Sequence, residues 1–443
     1  MRVLVVAYAY PPFPMVGAIR PAKLVKRLLK EGHEVHVLTG RLPGEKPRFR
    51  EKEPGFSVEV VPTWPNPKHL YRWLKRKRNR GSDDEDAAPA PSVASIERWA
   101  VPERISLLKR LVLSGLQTPD DLQGFIVPAT VRGLKAFPRG PDLVFSTSPP
   151  PSSHLVGLLI KAIAGARWAA EFRDPWSSNE ASEAGGRIRS RPTDALNGWL
   201  ERLCLRSSDH IVTVTRRAAE IIGGRLAPEN RRKIILARSG IDTLRLARDP
   251  SNLGPFTVVY LGGIGGGRDP RTFLKAVAEL VRSRELGTAD LAVELVGNCR
   301  FYHDLGLEEE IERLGISKFF RFRDWVDHEE AQKVLSGADL FLLLAQKQRA
   351  QVPNKLYEYL GAGRPILAFV DDDGESAELL RRTGGHYLVT DGDDRVALRA
   401  LGDALDSFQE GDGYNGSPPS PALLRRWSTE RQYDHLLEAL RLA

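Results

Sequence analysis

Short runs rich in β-branched residues alternate with amphipathic stretches of helical period twice along this chain, and that alternation confines it to parallel sheets covered by helices on both faces. The first cycle starts at once: residues 3–10 read as a strand, 20–30 as a helix and 34–38 as a second strand. In that helix Val25, Leu28 and Leu29 share one face, Lys23, Lys26, Arg27 and Lys30 point away, and Gly32 stands at the stop. Strands at 142–148, 167–172, 210–215 and 233–237 and a helix at 154–164 continue the pattern. A second alternation begins after Ser239-Gly240-Ile241-Asp242, with strands at 257–261, 291–296, 320–323, 339–344, 365–370 and 387–390. Helices at 270–282, 305–314, 329–336, 354–360 and 376–382 separate them.

Two cores suit 443 residues. The expected fold is α/β, with two doubly wound Rossmann-like domains facing each other. The first covers 1–240 and carries an insertion at 65–125, where the pattern is poor; the second covers 241–421. After a Gly/Pro/Ser-rich break, a last helix at 422–443 is expected to pack back on the first domain.

Composition narrows the function classes. The only cysteines, Cys204 and Cys299, share no metal-ligand spacing, so neither a disulfide framework nor a zinc site is expected and a reducing cytoplasm fits. Residues 1–6 read as a strand rather than a signal peptide, and the longest apolar region, 154–170, is interrupted by Lys161 and Arg167. A net charge of +8 favours anionic partners such as nucleotide phosphates, lipid diphosphates, an anionic leaflet or nucleic acid. Residues 71–80 hold six basic side chains beside Tyr71 and Trp73, and form either a solvated face or a segment that docks on an anionic membrane. Nucleic acid is not expected as a partner, because an aromatic-interleaved basic stripe is confined to this segment.

Three strand-to-helix junctions hold the residues suited to binding. The first strand runs through Tyr10-Pro11-Pro12 to Gly17 and a helix, at the sheet edge where ligands bind; the same loop reads equally as a Pro-stiffened turn. The second domain's first strand runs into Gly262-Gly263-Ile264-Gly265-Gly266-Gly267-Arg268, five glycines in six positions and then a fork donor for a diphosphate. It lacks the usual G-x-G-x-x-G spacing, so a dinucleotide fits it poorly. In Pro353-Asn354-Lys355-Leu356-Tyr357-Glu358, Pro353 starts a helix that places Lys355 at its N-terminus and Glu358 about a turn further on. That arrangement suits a diphosphate and ribose hydroxyls, or else a surface Lys355–Glu358 pair.

Taken together, Tyr10-Pro11-Pro12, Gly17, Gly32-His33-Glu34-Val35, Ser239-Gly240-Ile241-Asp242, residues 353–360 and Gly363-Arg364-Pro365 resemble glycosyltransferase family 4 across nearly the whole chain. Ser146-Thr147-Ser148-Pro149-Pro150 and Arg173-Asp174-Pro175-Trp176 are similar to its branch that assembles bacterial surface polysaccharides. The resemblance implies the GT-B fold, retention of anomeric configuration, no required metal and no cofactor beyond the nucleotide-sugar donor. It implies Gly17 beside the donor diphosphate or acceptor, Gly263 and Gly265 in the donor loop, Arg268 on the diphosphate, Asn354 and Lys355 at the phosphates or sugar, and Glu358 on the ribose. Asp174 is the candidate at the acceptor or transferred sugar, or caps the turn after it. The acceptor is expected to be a glycan or lipid-linked, and the enzyme cytoplasmic or peripheral on the inner face of the plasma membrane. A sugar-nucleotide epimerase of the same fold is the first rival reading, and a basic nucleic-acid-binding protein the second. Two positions depart from the family: Ala350 stands where a glutamate often holds the sugar, and Gly263 where a basic residue often stands. Lys347, Gln348 and Gln351 are the candidates to compensate for Ala350.

Overall fold

A computed structural model describes residues 1–13, 15–42, 48–64, 114–115, 117–177, 190–242, 254–390, 392–411 and 414–442. They divide into two compact units, Met1–Ala237 with Tyr433–Ala443, and Arg238–Gln432.

The first unit is built on an eight-stranded sheet of order β3-β4-β2-β1-β5-β6-β7-β8. These strands are β1 (Arg2–Val6), β2 (Glu34–Thr39), β3 (Phe49–Glu53), β4 (Phe56–Val60), β5 (Leu143–Ser148), β6 (Arg167–Phe172), β7 (His210–Thr213) and β8 (Ile234–Leu236). All neighbours pair in parallel except β3 with β4. The edge strand β3 was not expected from the sequence, because its FREKE run is charged and mostly exposed. The first strand ends at Val6 rather than Tyr10, and its helix begins earlier than expected, spanning Val16–Lys30.

Each sheet face has its own core. On one, Leu24, Val25 and Leu28 of helix Val16–Lys30 meet Tyr433, Leu436, Leu437 and Leu440 of helix Thr429–Leu440. On the other lie helices Ile126–Ala136, Ser152–Ala164 and Arg191–Ser207, around Phe125, Val156, Ile160, Trp168 and Cys204. Of the expected insertion, residues 114–115 and 117–125 are described and Phe125 is fully buried; residues 65–113, with the basic run, lie outside the described residues.

The second unit holds a six-stranded, fully parallel sheet of order β13-β10-β9-β14-β15-β16. Its strands are β9 (Phe256–Leu261), β10 (Leu291–Val296), β13 (Phe320–Arg323), β14 (Leu340–Ala345), β15 (Ile366–Val370) and β16 (Tyr387–Thr390), with a small hairpin of β11 (Phe301–Tyr302) and β12 (Leu305–Gly306) beside it. In order along the chain this is the 3-2-1-4-5-6 arrangement of a doubly wound sheet. The hairpin occupies the start of the helix expected from 305, which begins at Leu307. A helix absent from the sequence reading, Asp394–Glu410, buries Ala397, Ala400, Leu401, Ala404 and Leu405, and Asp393 caps it by accepting from the N–H groups of Arg395 and Val396.

The single last helix expected at 422–443 is two helices, Pro421–Arg426 and Thr429–Leu440. At the break, Ile241 N–H donates to the Trp427 carbonyl (2.9 Å) and Thr429 N–H donates to the Ile241 carbonyl (3.1 Å). A Cβ at Gly240 would lie 2.1 Å from Thr429 Cα, so the Ser239-Gly240-Ile241 motif serves close backbone pairing. Leu424 belongs to a core of the second unit and Tyr433 to one of the first, which places the return at 432/433 rather than near 421.

Candidate functional site

In open parallel sheets, ligands bind outside the carboxyl ends of the strands where the strand order reverses. In the second unit that point lies between β9 and β14, and the loops leaving both strands carry the residues singled out in the sequence. The loops meet at Gly267, where an added Cβ would lie 2.5 Å from the Gln346 carbonyl oxygen, and Gln346 Nε2 donates to the Asp269 carbonyl at 2.8 Å.

Lys355 lies in the first turn of helix Asn354–Ala362. Its ammonium sits 3.8 Å from the centroid of the Tyr260 ring, which projects from β9. The Nζ is shielded from solvent and has no hydrogen-bond partner among the described residues. Burial, reinforced by the nearby Arg268 guanidinium, lowers the Lys355 pKa to about 7. Gly262, at φ +128°, makes this placement possible: a Cβ there would approach Nζ to 2.8 Å. The surface Lys355–Glu358 pair is therefore not formed; Glu358 instead accepts from Asn354 Nδ2 at 3.0 Å.

Arg268 donates through Nη1 to the Gly263 carbonyl (3.3 Å), while its buried Nε has no partner among the described residues. The same carbonyl accepts from Tyr260 Oη at 2.7 Å. One tyrosine thus fixes the glycine loop and forms the floor under Lys355. A second, Tyr359, stacks on Phe341 and accepts from the Leu261 N–H at 2.9 Å, which pins the helix to the end of β9. Gly265 has open space where its Cβ would stand, at φ +154°. The sequence reading missed Tyr260 and Tyr359, whose aromatic character reads as core. Of the residues near Ala350, Lys347 is exposed with φ +57°, Gln348 donates its N–H to Asp371 Oδ2 (2.9 Å), and Gln351 donates its N–H to the Gln348 carbonyl (3.0 Å).

Two donor groups thus converge at this junction without an acceptor to match them. The partial positive charge of the helix N-terminus adds to them. An anion entering here gains charge-assisted bonds to groups that have already lost their water. Among the described residues no cluster of three or more His, Cys, Asp or Glu is placed to hold a metal ion.

In the first unit the strand order reverses between β1 and β5. Gly17 lies inside helix Val16–Lys30, in its first turn, and not in the loop before it. Pro21, four residues on, has no N–H to give the Gly17 carbonyl, and Arg173 Nη1 takes that place at 2.9 Å. Arg173 also donates to the carbonyls of Ser148 (3.0 Å) and Pro149 (2.8 Å), so one guanidinium ties the first turn of helix Val16–Lys30 and the end of β5 to the end of β6. The predicted Asp174 is half-buried beside this clamp, which the sequence reading had not identified. Behind it, Arg20 pairs with Glu171 (2.8 Å) and donates to the Ala237 carbonyl (2.7 Å), Thr147 donates to Glu171 (2.7 Å), and Tyr433 Oη donates to the Arg20 carbonyl (2.9 Å). His33 Nε2 lies 2.6 Å from the Leu442 carbonyl, two residues past helix Thr429–Leu440. Gly17 and Asp174 thus lie in the first unit, and Gly263, Gly265, Arg268, Asn354, Lys355 and Glu358 in the second.

Residues 17–237 match the family described as glycosyl transferase 4-like domain, and residues 255–407 the family described as glycosyl transferases group 1. No curated protein matches the sequence. Among solved structures, sucrose-phosphate synthase from Thermosynechococcus elongatus is similar over 99% of this chain and 98% of its own, with 14% identity and a TM-score of 0.64. HepE from Anabaena in complex with UDP-glucose is similar over 100% of both chains, at 12% identity and a TM-score of 0.61. WaaG, a glycosyltransferase involved in lipopolysaccharide biosynthesis, is similar over 98% of this chain and 94% of its own, at 16% identity and a TM-score of 0.54. These likenesses cover both units and give the fold as GT-B.

Proposed function

The chain belongs to the glycosyltransferase 4-like family, and from that premise we propose that it moves a sugar from a nucleotide-sugar donor to a hydroxyl of a glycan or lipid-linked acceptor, with retention, in surface polysaccharide synthesis. The observation that carries the donor reading is the shielded Lys355 ammonium beside the Arg268 guanidinium, both short of acceptors at the switch point of the second sheet. HepE, of the same fold, is seen with UDP-glucose, which supports a nucleoside diphosphate as the anion.

In the transfer, the acceptor oxygen bonds to the anomeric carbon as the bond from that carbon to the diphosphate oxygen breaks. The electron pair leaves on the diphosphate. Lys355, Arg268 and the N-terminus of helix Asn354–Ala362 then face more charge than in the bound donor, so they stabilise the transition state over the ground state. The leaving phosphate takes the acceptor's proton. Glu358 serves the ribose hydroxyls, Gly263 and Gly265 let the loop approach the diphosphate, Gly17 stands by the donor or acceptor, and Asp174 contacts the acceptor or transferred sugar. No cofactor beyond the donor takes part in this scheme.

A thermal-shift panel with UDP, GDP, ADP and TDP sugars identifies the donor, since a ligand selective for the native state raises its stability. Turnover of Arg268→Ala and Lys355→Met at saturating donor tests the site; full activity in both rejects it. Release of nucleoside diphosphate only when acceptor is present separates transfer from epimerisation.

A further inference from the structure

We infer that the first unit carries a further binding site, for a neutral saccharide, at the amino ends of β2 and β4. A cleft of about 410 Å³ opens there between these strands, β3 and the C-terminal end of helix Ile126–Ala136. Its volume lies in the range of small-molecule sites, about 300–1,000 Å³. Gly17 and Asp174 lie at the other edge of the sheet, beyond the carboxyl ends of β1 and β6, so the cleft is no part of the site described above and does not rest on its reading. Strand pairing sets His36 of β2 opposite Ser57 of β4, Ser57 opposite Lys52 of β3, and Glu59 opposite Phe49. Sheet positions beneath a helix are ordinarily apolar. Here a histidine and a carboxylate, His36 and Glu59, are only 5% and 6% exposed.

His36 Nδ1 and Ser57 Oγ are 2.6 Å apart, and Arg132 Nη1 donates to Glu59 Oε1 at 2.8 Å. The buried His36 Nε2 stands 3.3 Å from Glu59 Oε2 without the alignment of a hydrogen bond, and has no hydrogen-bond partner among the described residues. A buried polar atom left so is costly, and a ligand hydroxyl in the cleft relieves that cost. The charge of the lining selects the ligand's class. Glu34, Glu53 and Glu59 are matched by Lys52, Arg132 and Lys135, three of each sign. Burial pushes the Glu59 carboxyl up, but His36 and Arg132 outweigh it, so its pKa is lowered and it stays ionised. A lining so balanced draws in neither an anion nor a cation, whereas sugar hydroxyls donate to the carboxylates and accept from the cations at once. The rings of Phe49 and Phe137 stand edge-on to His36, with centroids 6.1 and 6.2 Å away, and Phe49 is 41% exposed. Apolar rings among paired charges match a pyranose, whose C–H faces are rimmed by hydroxyls.

The test is saturation-transfer NMR on the full-length protein. The probes are the methyl pyranosides of glucose, galactose, mannose and N-acetylglucosamine, with maltose and cellobiose. At least one should give saturable transfer in the millimolar range. Phe49→Ala should weaken that binding by about tenfold, and Lys135→Trp, which fills the cleft from an exposed position, should abolish it. Both side chains are exposed, so the variants keep the parent's melting temperature, and Phe49→Tyr, which keeps the ring, should bind as the parent does. Lys355→Met should leave the binding unchanged. Tighter binding of maltose or cellobiose than of the methyl glucoside assigns the cleft to a glycan chain and equal binding assigns it to a free sugar; both support the site. The inference is overturned if no probe gives saturable transfer, or if neither cleft variant weakens it. Loss of binding in Lys355→Met also overturns it, because the sugar then sits at the donor junction. Uridine or inorganic phosphate bound in the cleft, with the sugars excluded, overturns the saccharide assignment.

Discussion

Binding of a nucleoside diphosphate should draw a proton onto Lys355. In the free protein, burial and the neighbouring Arg268 lower its pKa to about 7, so at pH 8 roughly nine in ten molecules carry a neutral amine. A diphosphate charge at about 4 Å contributes about 4 kcal/mol at an effective dielectric constant of 20, enough to raise that pKa by about 3 units. UDP binding at pH 8 should therefore take up about 0.9 proton, and affinity should fall close to tenfold per pH unit above 7, or about 1.4 kcal/mol. The phosphate's own second ionisation, near pH 6, is over in this range. Calorimetry at pH 8 in buffers of differing ionisation enthalpy measures the uptake directly. Lys355→Met should abolish it. Uptake below about 0.3 proton, or uptake retained by Lys355→Met, refutes the assignment. The linkage has a second arm. Because the folded pKa lies below the unfolded value of 10.5, the unfolded chain holds the proton between pH 7 and 10.5 while the native state does not. Ligand-free stability should therefore rise across that window, and Lys355→Met should exceed the parent in stability below pH 7.

The other expectations concern the supports of the site. Tyr260→Phe keeps the ring under Lys355 but loses the bond to the Gly263 carbonyl, and should weaken UDP binding only a few-fold. Tyr260→Leu removes the ring as well and should cost tenfold or more by calorimetry; equal affinities for the two reject a role for the ring. Gly262→Ala brings a methyl group to 2.8 Å from the ammonium at a φ suited to glycine, and should reduce UDP affinity more than thermal stability. Removing one partner of the buried Arg20–Glu171 pair by Glu171→Ala should cost about 3–5 kcal/mol in chemical denaturation. Leu437→Ala, at a fully buried position of the returning helix, should cost about 2–5 kcal/mol; a loss under about 1 kcal/mol shows that helix to be dispensable to the first core.

The sequence by itself carried the double alternation, the second sheet's six strands within about a residue at each end, and the position of Arg268, Asn354, Lys355 and Glu358 at or just after strand-to-helix turns. Local pattern suffices for these, because a buried strand is marked by its apolar run and a turn from strand to helix by its glycines or proline. Helix Asp394–Glu410 was missed, although Ala397, Ala400, Leu401, Ala404 and Leu405 recur at helical spacing after an Asp cap. The early start of helix Val16–Lys30 was hidden by Pro21, whose cost to the helix is met by an arginine far along the chain. Only the tertiary structure decided that Arg173 ties helix Val16–Lys30 to the end of β5, that Tyr260 lies under Lys355, and that the last helix breaks where residues 427–429 meet Gly240 and Ile241. Each of these depends on residues distant in sequence. Whether a lysine reaches water, a carboxylate or an aromatic ring is set by the strands and loops packed around it, and not by its neighbours along the chain.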